Sequence, residues 1–386
     1  MTPPGGSQQL DGVLATPDGL RVGRVRFADR VLSVEVDEAA RRDGVERAGL
    51  PIVAPGFVDQ HVHGGGGGDA MDGPEGVRAL ARHHLAHGTT ALLPTTLTAP
   101  WEDVVAALRG VAEVAARPGE GEAVVLGAHL EGPFVSPKRL GAQPPHALQV
   151  TTERVAALLA PDVIRLVTLA PEVAGALASI PAWVAAGVRL NVGHTVADAE
   201  TVEGFLEAVR AAGGHAGATH LFNAMGGLEG RAPGPVGALL GDGHAALELI
   251  CDGHHVAPAA VRTAWRAGRE RLVLITDAIR ASGMRSGSTE LGGRPVTVVD
   301  GAARLDDGTL AGSMLTMDAA VRGAVACGVP LEAALAAASA APARYLALRD
   351  RGVLVPGARA DLVVLRPEDL SVSSVYLAGR RVSSAA

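Results

Sequence analysis

The stretch Val188-Arg189-Leu190-Asn191-Val192-Gly193-His194 decides how this chain is read. A short apolar run, ended by a glycine and then a histidine, describes a strand buried on both faces that delivers one polar side chain at its C-terminal end. The theme recurs in Thr90 to Pro94, Ala123 to Gly127, Val163 to Leu169 and Leu272 to Thr276. Between such runs, Val155 to Ala160, Ala199 to Ala212 and Leu331 to Leu346 carry helical patterns of Ala, Leu, Glu and Arg. Buried strands alternating with helices imply a parallel sheet. About eight such units in ~300 residues predict an α/β fold, a (β/α)8 TIM-type barrel, over residues 55–351. A doubly wound open sheet is the alternative, but no Gly-x-Gly-x-x-Gly loop follows the first strand.

Both ends of the chain read differently. Arg21 to Phe27 and Val31 to Val36 alternate like half-buried strands. Ala360 to Leu365 and Ser374 to Gly379 do the same near the C-terminus, with turns at Pro356-Gly357 and Arg366-Pro367. We expect residues 1–54 and 352–386 to build one small β-sandwich domain.

Composition removes several classes of function. Of 386 residues, 48% are hydrophobic and 19% charged, enough for a large core and against global disorder. Mean hydropathy is +0.24, yet no run of ~20 uninterrupted apolar residues exists, so no membrane partner is expected. Met1 to Gly12 lacks the basic and apolar regions of a signal peptide, which makes the cytoplasm the default. A net charge of −7 without any Lys/Arg block argues against nucleic acid. Cys251 and Cys327 are too few for a disulfide scaffold or thiolate cluster, and read as small buried apolar residues.

Six polar residues sit at or just beyond predicted strand ends: His61, His63, Glu131, His194, His220 and Asp277. In a barrel these positions converge on one mouth, where active sites lie. Residues i and i+2 on a strand face one side, so His61 and His63 aim two imidazoles at one point. Alone, such a pair also reads as two satisfied polar residues. With four more candidates behind apolar runs, the set reads as a divalent metal site. Imidazole with carboxylate suits zinc first, with iron, manganese and cobalt also accommodated, rather than calcium or magnesium. The glycine run Gly64 to Gly68 follows directly and is expected to let backbone approach whatever is bound.

Other polar residues read as structural. His83, His84 and His87 lie on a predicted helix, without a zincin's intervening glutamate, and read as helix surface. His129 and Asp59 share strand faces with Glu131 and His61 and support either ligand orientation or packing. His146, His215, His244 and His254 read as surface or loop residues.

Pro55-Gly56-Phe57-Val58-Asp59-Gln60-His61-Val62-His63-Gly64 resembles the first metal motif of the amidohydrolase superfamily, and Gly357 to Val363 is similar to its return into the small β domain. Within it, His129 to Phe134, Gly193-His194-Thr195, Thr219 to Met225, Asp252 to Val256, Thr276-Asp277-Ala278 and Leu310 to Ser313 resemble the N-acetylglucosamine-6-phosphate deacetylase family, in that family's order. The resemblance implies that Glu131, His194 and His220 hold the main metal. It also implies that His61 and His63, with Glu131 bridging, hold a second, giving one or two ions per subunit. Asp277 would be the general base and acid. Ala142, Gln143, Asn223, Ala224, Leu310, Ala311 and Gly312 would line the pocket for a phosphorylated amino sugar, with Arg231 and His255 on the phosphate. The family's arginine reaches a neighbouring subunit, which implies a homodimer. Gln143 stands where some members carry a histidine that polarises the carbonyl. Many two-metal amidohydrolases bridge their ions with a carbamylated lysine; here the sole lysine, Lys138, lies in a Pro137-Lys138-Arg139 loop, and Glu131 supplies the carboxylate instead. The rivals are another amidohydrolase of D-aminoacylase or deaminase type, on an unphosphorylated substrate, and a catalytically dead barrel.

Overall fold

The computed structural model describes residues 6–37 and 49–382. Residues 1–5, 38–48 and 383–386 of the expected small domain lie outside the described residues.

Eight parallel staves form the barrel: Phe57–Val62, Thr89–Pro94, the pair Val124–Val125 and Ala128–Glu131, Ile164–Leu169, Arg189–Val192, Ala216–Ala218, Ala246–Leu249 and Leu272–Leu274. Nearly every stave residue is buried, which is why these runs show no alternation in sequence. Helices such as Pro74–Ala86, Thr152–Leu159 and Ala199–Ala211 return the chain along the outside. Their starts follow local chemistry: the Thr151 and Asp198 side chains accept from the backbone N–H of Arg154 and Thr201, and Pro74 opens its helix. The long helix expected over Leu331 to Leu346 is two, Leu331–Ala338 and Ala340–Tyr345. They part at Ser339, whose hydroxyl donates to the Leu335 carbonyl at 2.7 Å and so competes locally with the helix ladder.

First and last staves are joined beyond their ladders. Asp277 N–H donates to the His61 carbonyl at 2.9 Å, and the Asp59 carboxylate accepts from the Thr276 hydroxyl and the His61 N–H. Asp59 is therefore a seam residue. Burial pushes it up to about 7, against the partial relief of those hydrogen bonds.

The two chain ends meet in one seven-stranded sheet, ordered Arg380–Val382, Val372–Leu377, Leu362–Leu365, Ile52–Pro55, Gln8–Thr16, Gly19–Phe27, Val31–Val36. Its alternation divides two faces. Val13, Ile52, Ala54, Val363 and Leu365 join the barrel core, while Leu14, Val53, Leu362 and Val364 build a second cluster with Val25, Phe27 and Tyr376. The result is a sandwich-like small domain locked to the barrel by period-two patterning.

A three-stranded antiparallel sheet, Gly287–Leu291, Arg294–Val299 and Ala302–Leu305, interrupts the barrel after its last stave. The sequence reading did not foresee it, although Gly292-Gly293 between alternating runs is a hairpin pattern. It packs Leu291, Val296, Val298 and Leu305 with Leu97 and Ile279 at the barrel mouth.

Candidate metal centre

Five staves deliver the six expected side chains to one place. His61 lies on Phe57–Val62 with His63 just after it; Glu131 ends Ala128–Glu131. His194, His220 and Asp277 follow the staves at Arg189–Val192, Ala216–Ala218 and Leu272–Leu274. The last three carry left-handed backbone, with φ of 47°, 33° and 49°. Side chains bearing a Cβ rarely adopt that region, and such strain concentrates at functional sites.

Glu131 stands at the centre. Its Oε1 lies 3.2 Å from His194 Nε2, 3.1 Å from His220 Nε2 and 3.5 Å from His61 Nε2. Its Oε2 lies 3.2 Å from His63 Nε2. Asp277 Oδ1 lies 3.4 Å from His61 Nε2 and 3.2 Å from His63 Nε2. Three groups with metal-ligand spacing occur among the described residues: Glu131–His194–His220 and His61–His63–Asp277 from these six, and His61–His129–Glu248. All six side chains are buried.

The donor set fits a cation. His63 and His194 direct Nδ1 at the carbonyls of Thr95 and Arg139, at 3.1 and 2.9 Å, and His61 directs Nδ1 at the Glu248 carboxylate at 3.1 Å. Those acceptors place the ring proton on Nδ1, so Nε2 presents a lone pair. The His61 and His63 lone pairs then face each other at 3.3 Å, and the His194 lone pair faces His220 Nε2 at 3.0 Å. Lone pairs and carboxylate oxygens gathered in this way repel unless positive charge lies among them. Outer partners on Nδ1 are the usual support of a metal-bound histidine. The same crowding shapes acidity. Burial pulls His63 down, but Asp277 and Glu131 more than reverse it, to about 9. Burial likewise opposes the charged form of Asp277, yet His61 and His63 hold it down at about 2.

The cavity above these groups measures about 210 Å³ and is lined by His63, Glu131, His194, His220 and Asp277 together with Ala142, Gln143, Asn223, Ala224, His255, Leu310 and Gly312. Leu97, Gly141, Leu291 and Thr309 complete it without having been expected; Leu291 comes from the unforeseen hairpin.

Arg231 is exposed and outside this cavity. Three expectations change. Ala311 turns its methyl into the hairpin's apolar cluster. Gln143 is occupied: its Nε2 donates to Glu131 Oε2 at 2.6 Å, and its Oε1 accepts from Thr98 N–H at 2.6 Å, so it steadies the central carboxylate. The glycine run does not line the cavity; a Cβ on Gly64 would lie 2.5 Å from Arg280 backbone, and one on Gly65 2.7 Å from His83 and His84. Close packing of helix and chain, rather than ligand access, needs those glycines.

The helix histidines also differ from expectation. His84 is fully buried and donates from Nε2 to the Gly64 carbonyl at 2.9 Å; His83 and His87 are half-buried, with His83 Nε2 3.0 Å from the Ser282 hydroxyl. Of the two cysteines, Cys251 is buried and Cys327 half-buried. His129 is buried and bonds Thr168 Oγ1 at 2.8 Å and the Gln60 carbonyl at 3.2 Å. His146, His215, His244 and His254 are exposed, as expected.

A charged residue missed from the sequence lies beneath the centre. Glu248 occupies the middle of the stave Ala246–Leu249, fully buried under His61. A lone carboxylate inside Ala246-Leu247-Glu248-Leu249-Ile250 was a readable anomaly.

Fold and mouth together define a barrel hydrolase of the metal-ligating class. The model of the amidohydrolase family matches residues 52–382, and the chain belongs to that family. It is 41% identical over 338 residues to the N-acetylgalactosamine-6-phosphate deacetylase of Escherichia coli O157:H7, covering 86% of this chain and 88% of that protein. It is 40% identical to the N-acetylglucosamine-6-phosphate deacetylase of Homo sapiens, covering 94% of this chain and 90% of that protein. Among solved structures, a mutant N-acetyl-D-glucosamine-6-phosphate deacetylase from Mycobacterium smegmatis, in complex with N-acetyl-D-glucosamine-6-phosphate, superimposes with a TM-score of 0.88 at 38% identity. That match covers 98% of this chain and 100% of that one.

Proposed function

We propose that this enzyme removes the acetyl group from N-acetyl-D-glucosamine 6-phosphate, giving D-glucosamine 6-phosphate and acetate. The observation that carries the reading is the convergence of four Nε2 atoms and two carboxylates on one enclosed point, in a chain similar over most of its length to sugar-phosphate deacetylases. Glu131, His194 and His220 would hold one divalent ion, and His61, His63 and Asp277 a second, with zinc the first choice for such donors. When bound, such an ion supplies Lewis acidity towards an amide carbonyl and acidifies water.

The chain's own groups do the rest. Asp277 borders the cavity, takes the proton from the attacking water and returns it to the leaving nitrogen, without which an amide nitrogen leaves poorly. Gln143 fixes Glu131 through its amide. Asn223 and Ala224 border the sugar. His255 borders the phosphate: burial disfavours its charge, but Asp252 at 2.6 Å raises it. Arg231, exposed here, completes the phosphate site of a second copy, in a homodimer. No described helix is long and apolar enough to cross a membrane; the cytoplasm is the proposed location.

Acetate release is the test. The 6-phosphates of N-acetylglucosamine and N-acetylgalactosamine, and unphosphorylated N-acetylglucosamine, are compared on metal-analysed protein. Turnover of the phosphorylated glucosamine substrate well above the unphosphorylated sugar is expected. Equal rates would reject the phosphate assignment, and preference for the galacto epimer would move the substrate to the other sugar.

A further inference from the structure

Among the four mouth histidines, one has a partner of a different kind. His63 and His194 rest on neutral backbone carbonyls, and His220 Nδ1 has no partner among the described residues. His61 alone rests on a carboxylate, Glu248 Oε2 at 3.1 Å.

That carboxylate is unusual in itself. It is fully buried beneath the mouth, and among the described residues no arginine or lysine pairs with it. Its other partners are Gln60 Nε2 at 2.7 Å and Asn191 Nδ2 at 3.0 Å on Oε1, and the His220 N–H at 3.3 Å on Oε2. Asn191 is held by the Tyr345 hydroxyl at 2.6 Å. Every group touching Glu248 donates. Neutral donors soften the cost of a buried anion but bring no positive charge, and an uncompensated one is expensive. Compensation is available through the His61 ring, which hydrogen-bonds the carboxylate and continues into the cluster of Nε2 and carboxylate atoms above; His129 is a second imidazole grouped with the pair.

We propose that Glu248 is the positioning residue that makes the His61–His63–Asp277 half of the centre a second ion site. It fixes the His61 proton on Nδ1, turns the Nε2 lone pair to the mouth and lends that half its extra negative charge. The Glu131–His194–His220 half meets Glu248 only through the His220 backbone N–H, at 3.3 Å, and through no ring nitrogen. The inference rests on the metal reading above. Removal of an outer partner of this kind costs a bound metal about 10–100-fold in affinity.

The test is metal titration of the full chain, stripped with chelator and reloaded with Zn²⁺ against a chromophoric competitor. Wild-type protein should take up two equivalents. Glu248→Gln should bind the first with unchanged affinity, which also reports an intact fold, and the second about 10–100-fold more weakly. Glu248→Asp, which keeps the charge, should recover part of that loss. Tyr345→Phe, which removes a hydroxyl at the same depth but leaves the carboxylate, should retain both ions. Unchanged second-ion affinity in Glu248→Gln overturns the inference and leaves the hydrolase reading standing. So does equal loss in the Gln and Asp variants, or a wild-type protein that holds one ion. A wild-type protein that holds none sinks the metal reading itself. Should Glu248→Gln not fold, the ring-proton NMR spectrum of wild-type protein decides: a protected N–H on His61 Nδ1 is required, and one on Nε2 overturns the inference.

Discussion

The histidines of the stave Phe57–Val62 and those of the helix Pro74–Ala86 lie on either side of one glycine run, and the protein treats them in opposite ways. His61 and His63 turn Nε2 towards the carboxylates of Glu131 and Asp277, and the net effect raises both rings. His83 and His84 turn towards a hydroxyl and a carbonyl. There burial, helped by the neighbouring histidines, outweighs the Asp318 carboxylate and lowers them to about 4 and 3. The same residue type becomes a cation-seeking ligand or an inert packing group according to what its ring nitrogens meet, as the equally buried His61 and His84 show.

The contrast can be broken in four places. The largest effect belongs to Asp277→Asn, which removes the mouth's proton carrier. Turnover should fall at least about 10²-fold while elemental analysis still finds the ion of the Glu131–His194–His220 group; near-normal turnover would remove Asp277 from that role. Chelation comes next. It should abolish acetate release and lower the melting temperature, because an ion bound only by the folded state contributes about 2.7 kcal/mol at a hundred times its Kd. A melting point indifferent to chelator would mean that the mouth histidines hold no ion.

Gly65→Ala strikes the boundary between the two groups. A methyl 2.7 Å from the His83 and His84 rings should cost about 1–3 kcal/mol in denaturant unfolding. No loss would show that the helix yields freely.

The smallest effect is pH dependence. The unfolded chain protonates histidine near 6.5, whereas folded His83 and His84 stay neutral to about 4 and 3. Between those values the unfolded state binds more protons, so stability falls as pH drops from about 6.5 to 4. His84→Gln should flatten that decline in pH-resolved melting; an unchanged slope would deny its origin in this ring.

Much of the fold was legible because buried parallel staves advertise themselves as uninterrupted apolar runs, as in Ile164–Leu169. The hairpin over 287–305 was not read, since its alternation was outweighed by the surrounding helix-and-stave rhythm. Glu248 escaped because a carboxylate within an apolar run has no meaning until the ring above it is known. The helix histidines escaped because helical spacing says which residues share a face but not what covers it.

By itself the sequence determined the barrel, the strand character of both chain ends, and the six polar residues at strand ends, because these follow from local periodicity and position along the chain. Only the tertiary structure decided which nitrogen of each imidazole faces the mouth, that Gln143 grips Glu131, that the glycines serve packing, and that Arg231 stands clear of its own pocket. Those outcomes depend on atoms far apart in sequence meeting within about 3 Å, the range over which hydrogen bonds and charge act in a buried site.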